Sequence, residues 1–263
     1  MKKSIITAQV VCQKKLAESI FDLTLEAPEI ADEAKAGQFV SLYCGDKSKL
    51  LPRPISLCGI DKKAGRIRLV YRVTGENTGT EEFSRLKEKD EIRVMGPLGN
   101  GFDVLPGKKA FVIGGGIGIP PMLELAKAVR EENAGTDFQI VAGYRDASVF
   151  LLDELKEQAE CFVATEDGSI GTKGTVLDAI REKGLEAEVI YACGPLPMLR
   201  ALAAFAEEKG MDCFVSMEER MACGIGACLA CVCESNEKDA HTNVNNKRIC
   251  KEGPVFNAKE VKL

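Results

Sequence analysis

Over roughly the first hundred residues the apolar positions come in short bursts. Ser4–Cys12, Phe21–Ala27, Gln38–Cys44, Ile55–Ile60, Arg66–Thr74 and Glu91–Met95 are runs rich in Val, Ile, Leu and Tyr, parted by Gly, Pro and charged clusters. This rhythm predicts antiparallel strands that form a sandwich or barrel. A single helix is expected at about Thr80–Leu86, where Phe83 and Leu86 share a face at i, i+3 spacing. The segment Gly96–Phe102, with three glycines and a proline, closes the block.

Beyond Leu105 the rhythm alternates. Strands are expected at Ala110–Gly114, Phe138–Gly143, Cys161–Thr165, Glu188–Cys193 and Phe214–Met217. Helices are expected between them at about Pro121–Glu132, Phe150–Ala159, Val176–Glu182 and Leu196–Lys209. Near-continuous apolar strands alternating with helices predict a parallel sheet covered on both faces, with ligands at the carboxyl ends of its strands. From Glu218 onward the chain is Cys- and Gly-rich and weakly periodic, too short to bury a sufficient core without a metal. The pattern thus divides the chain at 1–101, 102–217 and 218–263.

Composition narrows the function classes. A chain of 263 residues, 45% hydrophobic and 29% charged, suits a folded soluble protein of two domains with an appendage. Its net charge of −5 argues against a nucleic-acid partner. No apolar run approaches the length of a membrane span. The opening MKKSIITAQVVCQKK is interrupted by Thr7 and Gln9 and reads as a first strand, not a signal peptide. Eleven cysteines, an odd number without a secretory signal, point to a cytoplasmic protein with a metal site and not to a disulfide framework. Cys12, Cys44, Cys58, Cys161 and Cys213 read as small buried hydrophobes.

The strongest chemical signal is C-x4-C-x2-C-x18-C at Cys223, Cys228, Cys231 and Cys250. Three thiolates in a tight loop with one distant thiolate is the plant-type spacing for a 2Fe–2S cluster. Gly224 and Gly226 would allow the positive φ values that let backbone N–H groups wrap the sulfurs. The competing reading is a four-cysteine zinc site, which usually shows paired C-x2-C knuckles. Spacing alone leaves Cys233 open as a ligand, because on an extended strand it shares a side with Cys231.

Gly114–Met122, GGGIGIPPM, follows a strand and opens a helix, so Gly114, Gly115, Gly116, Gly118 and Pro120 would present N–H groups and a helix terminus to a pyrophosphate. It is not the standard G-x-G-x-x-G fingerprint. Cys193, Gly194 and Pro195 make a second strand–turn–helix junction that could line the same crevice. In RPISL, Arg53 could bind a phosphate and Ser56 a ring or phosphate oxygen. His241, the only histidine, lies in a polar run and reads as a solvated loop residue, so no His-based acid–base chemistry is expected.

RPIS in an N-terminal barrel, then GGGIGIPP, then CGP, makes residues 1 to about 217 resemble the ferredoxin–NADP reductase superfamily. That resemblance implies a flavin at RxYS, a nicotinamide dinucleotide at the glycine turn, and CGP near the nicotinamide. Ile55 stands where many members carry a tyrosine that stacks on the flavin, and Tyr71 is the candidate substitute. With ERMACGIGACLACVC and RICKEGPVF included, the whole chain resembles the electron-transfer subunits of NAD-dependent, type B dihydroorotate dehydrogenase.

This second resemblance implies an FAD-binding barrel, an NAD-binding α/β domain and a 2Fe–2S domain. FAD would lie on Arg53, Pro54, Ile55, Ser56, Val70, Tyr71, Arg72, Gly79 and Thr80, and Cys233 would be free. Electrons from dihydroorotate would reach an FMN in a separate catalytic subunit, then the cluster, FAD and NAD+, in de novo pyrimidine (UMP) biosynthesis. The assembly would be a heterotetramer of two plus two. A flavin suits the middle position because NADH gives a hydride and a cluster takes single electrons. No residue is assigned to orotate or to catalysis in this chain. The runner-up is a related NAD(P)H-dependent flavin/iron–sulfur reductase serving ferredoxin, polysulfide or an oxygenase. The non-enzyme reading is a zinc-stapled nucleotide-binding adaptor.

Overall fold

Six strands and two short helices build the N-terminal block: β1 (Ser4–Ala17), β2 (Ile20–Glu26), α1 (Pro28–Glu33), β3 (Phe39–Tyr43), β4 (Arg53–Asp61), β5 (Arg66–Arg72), α2 (Gly79–Phe83) and β6 (Glu91–Leu98). The computed structural model describes residues 3–132, 137–238 and 243–263; His241 lies outside the described residues. The strands close into an antiparallel barrel in the order β1-β2-β5-β4-β3-β6. Side-chain alternation sets which residues fill it: Val40, Leu42, Leu57, Ile67, Leu69, Tyr71 and Val94 point inward.

The single helix expected here is in fact two. In α1 only Ile30 and Ala31 are buried, and so short an element carries no readable helical period; Pro28 starts it with φ already helical.

The central block contains β7 (Ala110–Gly115), a 3-10 turn (Gly116–Gly118), α3 (Ile119–Glu132), β8 (Phe138–Tyr144), α4 (Leu152–Lys156), β9 (Glu160–Thr165), β10 (Thr172–Lys173), α5 (Val176–Glu182), β11 (Val189–Cys193), α6 (Leu196–Lys209) and β12 (Asp212–Ser216). The expected helix at Phe150–Ala159 is shorter because Leu151 sits at φ 61°, a left-handed conformation that a helix cannot continue through. The C-terminal block adds β13 (Val232–Glu234), β14 (Asn246–Arg248) and β15 (Val255–Asn257).

The sheet order is β10-β9-β8-β7-β11-β12-β15. It is parallel except that β15 joins β12 antiparallel, so the expected all-parallel sheet gains an edge strand from the cysteine-rich block. Strand order reverses between β7 and β11, which makes their carboxyl ends the topological switch point where ligands bind in open α/β sheets.

Barrel and sheet are tied together through Arg68 on β5. Its Nη2 donates to Asp22 Oδ2 at 2.8 Å within the barrel and to Glu154 Oε1 at 2.9 Å on α4. Beside this pair, Glu124 of α3 accepts a bond from the Ile60 N–H at 3.3 Å, and burial pushes its carboxyl up to about 7. Of the cysteines expected in the core, Cys58 and Cys213 are buried, whereas Cys12, Cys44 and Cys161 are half-buried. Among the described residues no helix is long and apolar enough to cross a membrane.

Candidate functional site

The outward faces of β4 and β5 turn toward the carboxyl end of the sheet. There, Pro54, Ile55, Ser56, Val70, Tyr71 and Arg72 border a cleft. Phe39 of the barrel, Ile117 of the glycine turn, and Ser216, Met217, Glu218, Glu219, Met221 and Pro254 complete the walls. All three blocks therefore meet at one cleft.

Tyr71 does not take the flavin-stacking place expected of it. Val70 and Arg72 face away from the barrel, so Tyr71 between them faces in. It is 1% exposed, its ring stacks on Phe21 at 6.0 Å and meets Phe83 edge-on at 6.4 Å, and its hydroxyl donates to Gln13 Oε1 at 2.9 Å. A ring committed to the core in this way does not stack on a ligand in the cleft.

Arg53, half-buried at the start of β4, donates to the Leu51 carbonyl. Gly79 packs against it so closely that an added Cβ would lie 2.9 Å from Arg53 Nε and 2.7 Å from Cys44 Sγ. Thr78 caps α2 by accepting from the Glu81 N–H at 3.2 Å, and buried Thr80 accepts from the Thr74 N–H at 3.2 Å. Gly79 thus packs against Arg53, and none of Arg53, Gly79 and Thr80 is among the residues that border the cleft.

The two glycine junctions come together at the switch point. Cys193 is level with Gly114 across the β11–β7 pair. A Cβ on Gly118 would fall 2.3 Å from the Cys193 carbonyl oxygen, and one on Gly115 would fall 3.1 Å from Pro195 Cδ. Gly116, at φ 53°, takes the left-handed turn, and Arg72 Nη2 reaches to 3.9 Å of where its Cβ would be. Pro120 is buried in the first turn of α3. Cys193 is buried as well, its thiol pushed up by burial; it stands behind Gly118 and is not part of the cleft wall.

Glu218, which the sequence does not single out, follows β12 at the carboxyl edge of the sheet. Although exposed overall, it has a carboxyl crowded by protein, which raises it above the ordinary carboxylate range; Arg72 acts in the opposite direction. Position at the end of the last parallel strand is the only signal that could have found it.

In the cysteine-rich block, Gly224 and Gly226 adopt φ of 68° and 86°, as the wrapping of a sulfur cluster requires. N–H groups of Ile225 and Ala227 point at Cys223 Sγ at 3.5 and 3.3 Å, that of Cys223 at Cys228 Sγ at 3.5 Å, and that of Cys250 at Cys231 Sγ at 3.4 Å. Burial raises the Cys223 thiol, but the Ile225 N–H and the Cys228 thiol and amide outweigh it and bring it down to about 6.

Among the described residues no three metal-binding side chains gather as a mononuclear site needs. The thiols stand instead in two pairs, Cys223 with Cys228 and Cys231 with Cys250. The unpaired C-x4-C-x2-C-x18-C donor set, with backbone N–H groups directed at its sulfurs, fits a two-iron cluster, whereas four-cysteine zinc sites usually show paired C-x2-C knuckles. Cys233 is engaged on the neighbouring strand: its Sγ donates to the Lys247 carbonyl across β13–β14 at 3.5 Å.

Known proteins match the whole chain. The oxidoreductase FAD-binding domain family matches residues 7–102, the oxidoreductase NAD-binding domain family 112–204, and the iron–sulfur cluster binding domain of dihydroorotate dehydrogenase B 218–262. The dihydroorotate dehydrogenase B (NAD(+)) electron transfer subunit of Bacillus velezensis is 41% identical over 100% of both chains. The corresponding subunit of Listeria monocytogenes is 45% identical over 97% of this chain and 98% of its own. Among solved structures, an NADH-dependent reduced ferredoxin–NADP oxidoreductase studied for flavin-based electron bifurcation superposes with a TM-score of 0.84 at 32% identity, covering 97% of this chain and 89% of that one. A ferredoxin reductase of carbazole 1,9a-dioxygenase shares the fold at a TM-score of 0.69 and 21% identity, over 80% of this chain and 67% of its own.

Proposed function

Because the chain belongs to the family of dihydroorotate dehydrogenase B electron transfer subunits, we propose that it relays electrons from an FMN-containing, dihydroorotate-oxidising partner subunit to NAD+, in de novo pyrimidine biosynthesis. The observation that carries this reading is the meeting of barrel, glycine turn and cysteine-rich block at one cleft. FAD, when bound, exchanges a hydride with nicotinamide and single electrons with a 2Fe–2S cluster.

The chain's own residues supply the binding. Arg53 and Arg72 offer guanidinium groups to phosphates, and Ser56 offers a hydroxyl at the cleft wall. Gly114, Gly115, Gly116, Gly118 and Pro120 bring backbone to the dinucleotide at the switch point, opposite Cys193, Gly194 and Pro195. Cys223, Cys228, Cys231 and Cys250 would hold the 2Fe–2S cluster. The working division is 1–101, 102–217 and 218–263, with β15 joining the central sheet.

The partner docks at the cysteine loop, where Ile225 and Leu229 are 46% and 57% exposed beside the exposed Cys228, in an assembly of two plus two. The test is cofactor content: the purified chain should carry extractable FAD and about two irons with two sulfides per chain. A colourless protein containing zinc would refute the reading.

A second reading, a reductase serving ferredoxin, polysulfide or an oxygenase, draws on the 32% identity with the NADH-dependent ferredoxin–NADP oxidoreductase. Co-purification from the source cell separates the two by whether an FMN protein accompanies the chain.

Cofactor choice follows from the ends of β8 and β9. Glu166 and Asp167 leave β9 with their N–H groups bonded to the Tyr144 and Arg145 carbonyls at 3.2 and 3.4 Å. Bonds from Ser169 hold the Asp167 carboxyl below the usual range, so it stays charged at neutral pH, and Asp146 lies close by. Arg145 is a cation in the same group, but carboxylates there repel a 2′-phosphate. NADH should be preferred over NADPH by at least about tenfold in kcat/KM, or about 1.4 kcal/mol. Equal use of the two cofactors in a dye-reduction assay would show that these acids point elsewhere.

A further inference from the structure

Strand β3 presents Val40 and Leu42 to the barrel interior, and Phe39 to the seam where Met95, Leu98 and the cysteine-rich block pack. Ser41 shares the outer face with Phe39. It is fully buried, and its Oγ has no hydrogen-bond partner among the described residues. A buried hydroxyl left without a partner costs free energy that alanine at the same place would not, so its presence calls for an acceptor.

What it faces is the cysteine loop. A Cβ added at Gly224 would lie 3.2 Å from Ser41 Oγ, with Met95 Cε and Leu98 Cδ1 at the same distance. Gly224 joins Cys223 to Ile225, the residue whose N–H points at Cys223 Sγ. Two residues back along β3, roughly 7 Å at the rise of an extended chain, Phe39 lines the three-block cleft. Ser41 therefore stands between the cleft and the cysteine loop.

We propose that Ser41 Oγ–H donates a hydrogen bond to a sulfur of the two-iron group held by this loop and raises its reduction potential; the proposal rests on the cluster reading of the four cysteines. The loop's own amides approach the sulfurs from within the loop, and Ser41 is a donor from the barrel side. Reduction adds negative charge to the sulfurs, so a donor there stabilises the reduced form. Losing it makes the group harder to reduce.

The experiment is a redox titration of the cofactor-loaded protein followed by EPR, with resonance Raman spectra in H2O and D2O, on wild type, Ser41→Ala and Ser41→Thr. At the wild-type midpoint, Ser41→Ala should lower the ratio of reduced to oxidised cluster by about tenfold, equivalent to about 59 mV for one electron. It should also lose part of the D2O shift of the iron–sulfur stretches, while the flavin midpoint stays in place. Ser41→Thr keeps a donor and should stay near wild type in both readouts. An alanine variant with unchanged midpoint and D2O shift would overturn the proposal. So would a threonine variant that behaves like alanine, or a shift confined to the flavin. A wild-type protein without a two-iron EPR signal would fail earlier, at the cluster reading itself.

Discussion

Cys250→Ser should strip the protein of its cluster, whereas Cys233→Ser should leave it in place. Both thiols are buried and both follow Cys231 within one compact block, so burial does not separate them. Orientation does. Cys250 lies beside Cys231, with its N–H directed at that thiol, while the Cys233 thiol is bound to the Lys247 carbonyl on the neighbouring strand. Replacing one of four thiolates by a hydroxyl removes a soft ligand, and the block loses part of the metal-dependent stabilisation that a segment of this size relies on. Iron content in the Cys250 variant should fall at least about tenfold, and the EPR signal of the Cys233 variant should match wild type. Full iron in the Cys250 variant, or loss of the signal in the Cys233 variant, would overturn the ligand assignment.

Gly118→Ala should damage the nicotinamide site more than any other single methyl added to the glycine turn. The new Cβ would sit 2.3 Å from the Cys193 carbonyl oxygen, 2.5 Å from its carbon and 2.6 Å from the Gly194 nitrogen. These are backbone atoms of a strand end buried in the sheet, so no rotamer change relieves the overlap and the two junctions must move apart. Overpacking of this kind costs about 1–3 kcal/mol of stability, and a displacement near 1 Å at the reacting groups lowers rate by about a hundredfold. Thermal melting and NADH-to-dye kinetics measure the two effects. Gly45→Ala is the control, since its Cβ would meet only the end of the Glu82 side chain at 3.4 Å. A Gly118 variant with wild-type kcat/KM for NADH would show that the junction does not hold the dinucleotide.

The elements with a strong period were legible in the sequence. Six barrel strands, the alternating sheet and the C-x4-C-x2-C loop all announce themselves by spacing, and the fold bears out the barrel and the α/β sheet. Short or aperiodic pieces were not legible: α1 has only six residues, fewer than two helical turns, and β15 is three residues that owe their place to pairing with β12.

The cleft shows the same limit. Its barrel wall carries Pro54, Ile55 and Ser56 but not Arg53, and Ser216, Met217, Glu218, Glu219, Met221 and Pro254 come from the end of β12 and from the turns beyond it. Tyr71 lies inside the barrel because its neighbours Val70 and Arg72 face the cleft, and alternation puts the residue between two outward positions inside. Cys193 lies behind Gly118, and that burial is a property of packing and not of the motif.

The most direct measurement is NAD+ reduction by dihydroorotate in a mixture of this chain and its FMN-containing partner, with wild type and Cys228→Ser compared in parallel. The wild-type chain alone should pass electrons from NADH to an artificial dye but form no orotate, and adding the partner should restore dihydroorotate-dependent NADH formation. Cys228→Ser, lacking a thiolate at the exposed end of the loop, should lose the coupled activity at least about a hundredfold while keeping most of its NADH-to-dye turnover. The dye takes electrons at the flavin, before the cluster when NADH is the donor. Orotate formation by this chain alone, or full coupled activity in a cluster-free variant, would contradict the account.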